Sequence, residues 1–198
     1  MRVSRLTSLA VAGLLLAAAC NSATPVPPLP PATVVNAVLT PVQRGKYIVE
    51  TSGCNDCHTP WKMGANNQPE ADMTRYLSGH PEGMKLNKPP KLEGAWMAAT
   101  TGSFTAWTGP WGISYTANLT PDQNTGIGIW TEDMFIRAIR EGKHMGTSRE
   151  ILPPMPWAVY KNWTDDDIKA VFAYLKSIPA IRNQVPDPTP PPDVAKMK

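Results

Sequence analysis

The chain has 198 residues, 42% hydrophobic and 18% charged, which is enough apolar side chain for one mid-sized domain and excludes a wholly disordered chain. Ten of its 22 prolines crowd into residues 25–31 and 186–192, whereas all seven tryptophans lie between, so the folded unit is expected at 41–182. The formal net charge of +3 includes Arg2 and Arg5; without them seventeen basic residues face sixteen acidic ones, interleaved along the chain, which argues against a nucleic-acid partner.

Residues 1–19 carry two arginines and then an uncharged apolar stretch ending Ala17-Ala18-Ala19. That is the layout of a signal peptide, too short to span a bilayer comfortably as a permanent helix. With Cys20 next, it resembles the bacterial lipoprotein signal, although the usual Leu three residues before the cysteine is here an Ala. The resemblance implies lipidation of Cys20, and several acyl chains on one residue anchor stably where one is marginal. Asn21 is not the residue associated with inner-membrane retention, which favours the outer membrane within a periplasmic location. The other reading is an ordinary signal cut elsewhere. Residues 20–40 are Pro-rich and read as a tether; as polyproline II, twenty residues reach roughly 60 Å at about 3.1 Å each.

A first helix is expected from Pro41 to Ser52, with Val42, Gly45, Ile48 and Val49 near helical spacing and Gly53 ending it. Directly after it stands Cys54-Asn55-Asp56-Cys57-His58, the attachment signature of c-type haem. Two thiols three positions apart reach the two vinyl groups on one porphyrin edge, and the following histidine can offer an imidazole nitrogen to the iron. A thioredoxin-like pair would want flanking strands that the sequence lacks. A zinc site needs four ligands, and the chain has only His58, His80 and His144 with no second cysteine pair. A structural disulfide would leave His58 unexplained.

Residues 63–112 are Gly/Pro-rich, contain Trp96, Trp107 and Trp111, and show no strong periodicity. A structureless run of that length is improbable in a compact domain, so short strands or helices, or a cover over the haem, are expected there. His80, in Ser78-Gly79-His80-Pro81, reads as a turn residue. A second helix is predicted after the cap Thr131, with Phe135, Ala138 and Ile139 on one face and Gly142 as its stop. Arg137, Arg140 and Lys143 read as a solvated helix face in preference to partners of haem propionates, and His144 as a surface residue near the helix end.

Met155 sits in Pro153-Pro154-Met155-Pro156, where prolines stiffen an extended loop and remove backbone donors. A thioether on such a loop can approach iron from the side opposite His58; the alternatives are a core-filling role and Met145 as the iron ligand. A third helix follows the cap Thr164, with Asp165-Asp166-Asp167 in its first turn, more simply a helix start than a metal site. Ile168, Val171, Phe172, Leu175 and Ile178 mark one face before Pro179. Residues 183–198 read as a frayed, solvated Pro-rich tail.

This order of parts resembles a class I c-type cytochrome, with Gly45 and Tyr174 where the family's first and last helices cross. Asn118-Leu119-Thr120-Pro121-Asp122, Thr125-Gly126-Ile127-Gly128-Ile129-Trp130, the PPMPW run and AYLKSIP more particularly resemble haem domains of multihaem cytochrome subunits serving membrane alcohol and gluconate dehydrogenases. The resemblance implies an all-α class I cytochrome c fold with 63–112 as a long insertion. It also implies one covalently attached haem c on Cys54 and Cys57, with His58 as proximal and Met155 as distal iron ligand. Those subunits carry several C-x-x-C-H motifs and this sequence has one, so a relay through internal haems is not expected.

The function expected is therefore an electron carrier and not an enzyme: a lipid-anchored monohaem cytochrome in the bacterial envelope, passing electrons between a redox donor and acceptor protein. Two alternatives stand beside it. One is an open-site haem enzyme or gas-binding protein, using His80 or His144 as distal acid–base group. The other is an electron-transfer subunit of a membrane dehydrogenase or oxidase complex.

Overall fold

The computed structural model of the chain describes residues 38–191. The expected signal 1–19, lipidated Cys20 and nearly all of the 20–40 tether lie outside the described residues, as do residues 192–198. The elements run α1 (Pro41–Thr51), α2 (Cys54–His58), β1 (Trp61–Met63), β2 (Pro69–Ala71), a 3₁₀ turn at Met73–Arg75, β3 (Ala99–Thr100), β4 (Ala106–Gly109), β5 (Gly112–Tyr115), α3 (Glu132–Glu141), a 3₁₀ turn at His144–Gly146, α4 (Trp157–Tyr160) and α5 (Asp165–Ser177).

The three long helices start and stop for local reasons. Thr40 caps α1 in a reciprocal box with Gln43, Pro41 fills the first turn, and Gly53 follows Ser52 at φ 71°. Thr131 and Thr164 accept hydrogen bonds from Met134 and Asp167, which closes the first turns of α3 and α5 around acidic residues suited to that end. Gly142 then ends α3 in the left-handed region.

Helix α1 crosses α5 at Gly45. A Cβ there would collide with the Ala170 carbonyl and lie 2.8 Å from Tyr174 Cβ. Arg44 and Asp167 pair at 2.5 Å beside this crossing. The core gathers Val49 of α1, Phe135 and Ile139 of α3, Ile168, Val171, Phe172 and Leu175 of α5, and Ile127 and Leu77 from connecting segments. The Phe135 and Phe172 rings lie 5.2 Å apart.

The all-α expectation is incorrect. Two antiparallel sheets, β1-β2 and β3-β4-β5, occupy the stretch after the cysteine motif. In the second sheet Ala106 opposes Tyr115, and Gly109 opposes Gly112 across a two-residue Pro110-Trp111 turn, with Gly112 at φ 93°. Strands of two to four residues are too short to register as alternation, and their stability comes from pairing with neighbours.

The C-terminal segment also departs from the solvated tail expected of it. Through residue 191 it is docked: Thr189 exchanges both backbone hydrogen bonds with Ile113 of β5, at 2.8 and 2.9 Å. Asn183 is fully buried. Its side chain accepts from Arg75 Nη2 and the Glu82 amide, both at 2.7 Å, and donates to the Ser78 and His80 carbonyls at 2.6 and 2.8 Å.

Gly45→Ala should destabilise the domain by about 1–3 kcal/mol, because the new methyl meets backbone at a helix crossing that cannot separate without opening the core. Denaturant unfolding followed by tryptophan fluorescence measures it.

Candidate haem-binding site

Helix α2 is a single turn that starts after left-handed Gly53 and carries Cys54 and Cys57 three positions apart, hence on one side of the turn. Both thiols are free and partly buried. Burial pushes the Cys54 thiol up to about 12, with the Asp56 carboxylate adding to the rise, and moves the Cys57 thiol upward for the same two reasons. Desolvation thus favours the protonated thiol at both positions. Among the described residues, no three His, Cys, Asp or Glu side chains gather in a way that could hold a metal ion.

His58 ends α2 and is buried, with 8% of its surface exposed. Its Nδ1 lies 2.7 Å from the carbonyl oxygen of Ala117. A carbonyl has no proton to give, so Nδ1 carries the hydrogen and Nε2 keeps its lone pair. Burial lowers the imidazole pKa, partly opposed by the Ala117 bond, so the ring is neutral. A neutral imidazole with one nitrogen fixed and the other a free donor pair is a metal-ready ligand.

Several segments fix this arrangement. The Gly79 amide donates to the His58 carbonyl at 2.7 Å, and the Leu77 amide donates to Thr59 Oγ1 at 3.0 Å. The His80 amide donates to the Thr116 carbonyl at 2.9 Å, and the Leu119 amide to the Leu77 carbonyl at 2.9 Å, so residues 77–80 clamp the 116–119 segment against α2. Gly79 has φ 77° and no room for a Cβ against Ala117, so the clamp requires glycine there.

Met155 is partly buried in the loop between the His144–Gly146 turn and α4. The loop is tied on both sides to segments of the cysteine motif's support. Ser114 Oγ donates to the Pro153 carbonyl at 2.5 Å, three residues before Ala117, and Tyr160 Oη of α4 donates to the Ser52 carbonyl at 2.7 Å, two residues before Cys54. The Tyr160 hydroxyl is pushed up to about 12, first by burial and next by Cys54 and Cys57. Met145 lies in the turn after α3 at φ 56°, also partly buried.

The remaining sequence candidates fall elsewhere. His144 is half-buried, edge-on to Trp130 at 5.1 Å, and not the surface residue expected. His80 is 1% exposed, bonded through Nδ1 to Thr105 Oγ1 at 3.0 Å and packed on Tyr115, so the turn reading missed a core residue. Arg140 bonds the Lys161 carbonyl and pairs with Asp165 at 2.5 Å, joining α3 to α5, while Arg137 and Lys143 are exposed. Sequence reasoning also missed Ala117, Ser114 and Tyr160. A backbone carbonyl leaves no trace in residue type, and the two hydroxyls had no flanking signal.

The residues present fit a covalently held haem. Two free thiols and an imidazole with an uncommitted Nε2 sit on one turn. Arg75 Nε, Ser78 Oγ and His80 Nε2, around the segment that backs His58, are buried with no hydrogen-bond partner among the described residues, polar capacity left unused there.

No family model matches the chain. Several curated relatives are named as cytochrome subunits of dehydrogenases, which supports a cytochrome c domain here, and with it haem c and electron transfer. The chain is 26% identical over 88% of its length to the fructose dehydrogenase cytochrome subunit of Gluconobacter japonicus, covering 29% of that protein. It is 27% identical over 74% of its length to the cytochrome c subunit of the quinone alcohol dehydrogenase of Gluconobacter oxydans, covering 24% of it. A shorter match, 40% identical over 33% of the chain, is to the gluconate 2-dehydrogenase cytochrome c subunit of Pantoea cypripedii, covering 15% of it. The chain thus spans less than a third of the length of each of these relatives. Among the described residues no helix is long and apolar enough to cross a membrane.

Thr59→Val should cost about 1–3 kcal/mol, because it leaves the buried Leu77 amide without an acceptor where that segment clamps α2. Chemical denaturation reads the loss, and amide exchange at Leu77 should speed up with it.

Proposed function

We propose that the chain is a lipid-anchored monohaem cytochrome c that passes single electrons between redox proteins in the bacterial cell envelope. The observation that carries this reading is His58: buried, neutral, with Nδ1–H committed to Ala117 and Nε2 left for iron, on the same turn as two free thiols. Cys54 and Cys57 would each add sulfur and hydrogen across a vinyl group to form thioethers. His58 Nε2 would hold the iron on one side and Met155 Sδ on the other. The bound haem supplies the one-electron ferrous–ferric couple, and a His/Met pair raises its potential.

The chain's own residues supply the rest. Ala117 fixes the tautomer and orientation of His58, and residues 77–80 hold that carbonyl in place. Met155 Sδ would hold the iron opposite His58, and a site filled in that way would leave no vacancy for a substrate. Cys20 would carry the lipid, and the Pro-rich tether would let the domain move between partners. His80, the other reading's distal acid–base group, is bonded through Nδ1 to Thr105 in the segment that supports Ala117.

A second reading is that of a subunit in a dehydrogenase complex. Half of the exposed large apolar side chains, namely Met63, Met73, Met84, Trp96, Met97 and Phe104, belong to residues 63–112, and the relatives are themselves named as subunits. Co-purification of partner chains from a detergent extract distinguishes it from a free shuttle.

Absorption spectra of protein matured in a haem c-attaching host test the main reading. The ferric form should be low-spin with a sulfur-to-iron charge-transfer band, and the ferrous form should not respond to carbon monoxide. Met155→Ala should lose that band and bind carbon monoxide; retention of the band would move the assignment to Met145. Cys54→Ser with Cys57→Ser should abolish haem that survives denaturing electrophoresis. Cys20→Ala should shift the protein from the membrane fraction to the soluble one.

A further inference from the structure

The loop that carries Met155 has almost no means of holding itself. Pro153, Pro154 and Pro156 lack backbone N–H groups, so residues 153–156 contain one amide donor, that of Met155. The loop's entrance is tied where the Ile151 amide donates to the Gly142 carbonyl at 2.7 Å, and its exit enters α4, whose Val159 amide donates to the Pro156 carbonyl at 2.9 Å. Among the described residues, a single hydrogen bond reaches residues 152–155 from elsewhere in the chain: Ser114 Oγ to the Pro153 carbonyl, 2.5 Å.

Ser114 is built for that contact. It lies on β5 with 7% of its surface exposed, paired in register with Trp107 of β4. Its hydroxyl accepts from Trp111 Nε1 at 3.2 Å, which fixes the lone pairs and directs the single O–H at Pro153. Trp111 itself comes from the Pro110-Trp111 turn that closes the β4-β5 hairpin. Behind the strand end, Ile113 is paired with Thr189, so β5 is held on both edges.

We propose that Ser114 is a positioning residue for the distal iron ligand. Its hydroxyl, oriented by Trp111, anchors the Pro153 carbonyl two residues from Met155 and so sets how firmly the thioether stays on iron. This rests on the assignment of Met155 as that ligand. Without the bond the loop keeps its end ties but gains freedom in the middle, and a competing ligand displaces the thioether more easily.

The test uses the full-length haem-loaded protein and imidazole as the competing ligand, titrated into the ferric form while the sulfur-to-iron band is followed. Loss of one such hydrogen bond should tighten imidazole binding by about tenfold in Ser114→Ala, with the sulfur band still present before imidazole is added. Ser114→Thr and Ser114→Val have the same shape and differ in the hydroxyl; the threonine variant should bind imidazole as the parent does, the valine variant as Ser114→Ala does. This pair carries the test if the alanine variant does not accumulate. Trp111→Phe, which keeps the hydroxyl and removes its orienting donor, should give a smaller change of the same sign. Imidazole affinities within twofold of the parent in every Ser114 variant, or equal tightening by threonine and valine, overturn the proposal. Met155→Ala is measured alongside: if it keeps the sulfur band, the ligand assignment itself has failed and the proposal falls with it. If it loses the band while Ser114→Val is unchanged, the ligand stands and Ser114 does not position it.

Discussion

The hydrogen bond from His58 Nδ1 to the Ala117 carbonyl is the constraint on which the other parts of the described chain depend. A buried imidazole without a partner is costly, and one bonded through the wrong nitrogen would turn its lone pair inward. The chain meets this by delivering a backbone carbonyl from residue 117 to a side chain at residue 58. It must therefore bring a segment from the far side of a long insertion to lie beside α2. The Thr116 amide on the Thr105 carbonyl, the His80 amide on the Thr116 carbonyl and the Leu119 amide on the Leu77 carbonyl fix that segment in three places around Ala117.

Residues 63–112 help to support that bond. Leu77 enters the main core although its φ of 58° is unfavourable for a branched side chain; its amide is held by Thr59 and its carbonyl by Leu119. Around it lie buried polar residues that serve one another: His80 on Thr105, Thr105 on Ser103, and Asn183 joining Arg75, Ser78, Glu82 and His80. Polar contacts of this kind favour one arrangement where an apolar filling would tolerate several, although Arg75 Nε, Ser78 Oγ and His80 Nε2 keep hydrogen-bonding capacity unused among the described residues. Asn183 also explains why the C-terminal segment does not fray where its proline content suggests. Its amide, carbonyl oxygen and side-chain nitrogen are all engaged before the prolines begin.

What could be read from the sequence divides by the range of the interaction. The helices α1, α3 and α5 were legible because their signals are local: Pro41 and Gly53, Thr131 and Gly142, Thr164 and the aspartates of the next turn. The Gly45–Tyr174 crossing was legible through the likeness to a known arrangement, and the geometry at Gly45 agrees with it. The strands were not, since β3 has two residues and β4 and β5 four each, and what stabilises them is the partner across the turn. Nor were His80 and Asn183, whose burial is set by groups 25 to 108 residues away. The motif residues Cys54, Cys57 and His58 stood out by spacing; the carbonyl that orients His58 did not, because every residue has one.

The distance between the two proposed axial ligands sharpens the point. Ninety-seven positions separate His58 from Met155, and chain connectivity alone leaves their relation free. The segment 113–117 removes that freedom: Ser114 holds the loop of Met155 and Ala117 holds the ring of His58, three residues apart on one extended run of about 10 Å. Within that run residues 113–115 pair with β4 and Ile113 also with Thr189, so the two ligand mounts share one backbone support. For an electron carrier this is the useful property. In the proposed carrier the charge on the iron would change by one unit at each transfer, and ligands mounted on one extended segment would keep their places in both states. A substrate-binding haem site would gain from the opposite arrangement, a distal loop free to swing away. On the proposed reading, residues 63–112 would serve to keep Met155 in place as the second ligand.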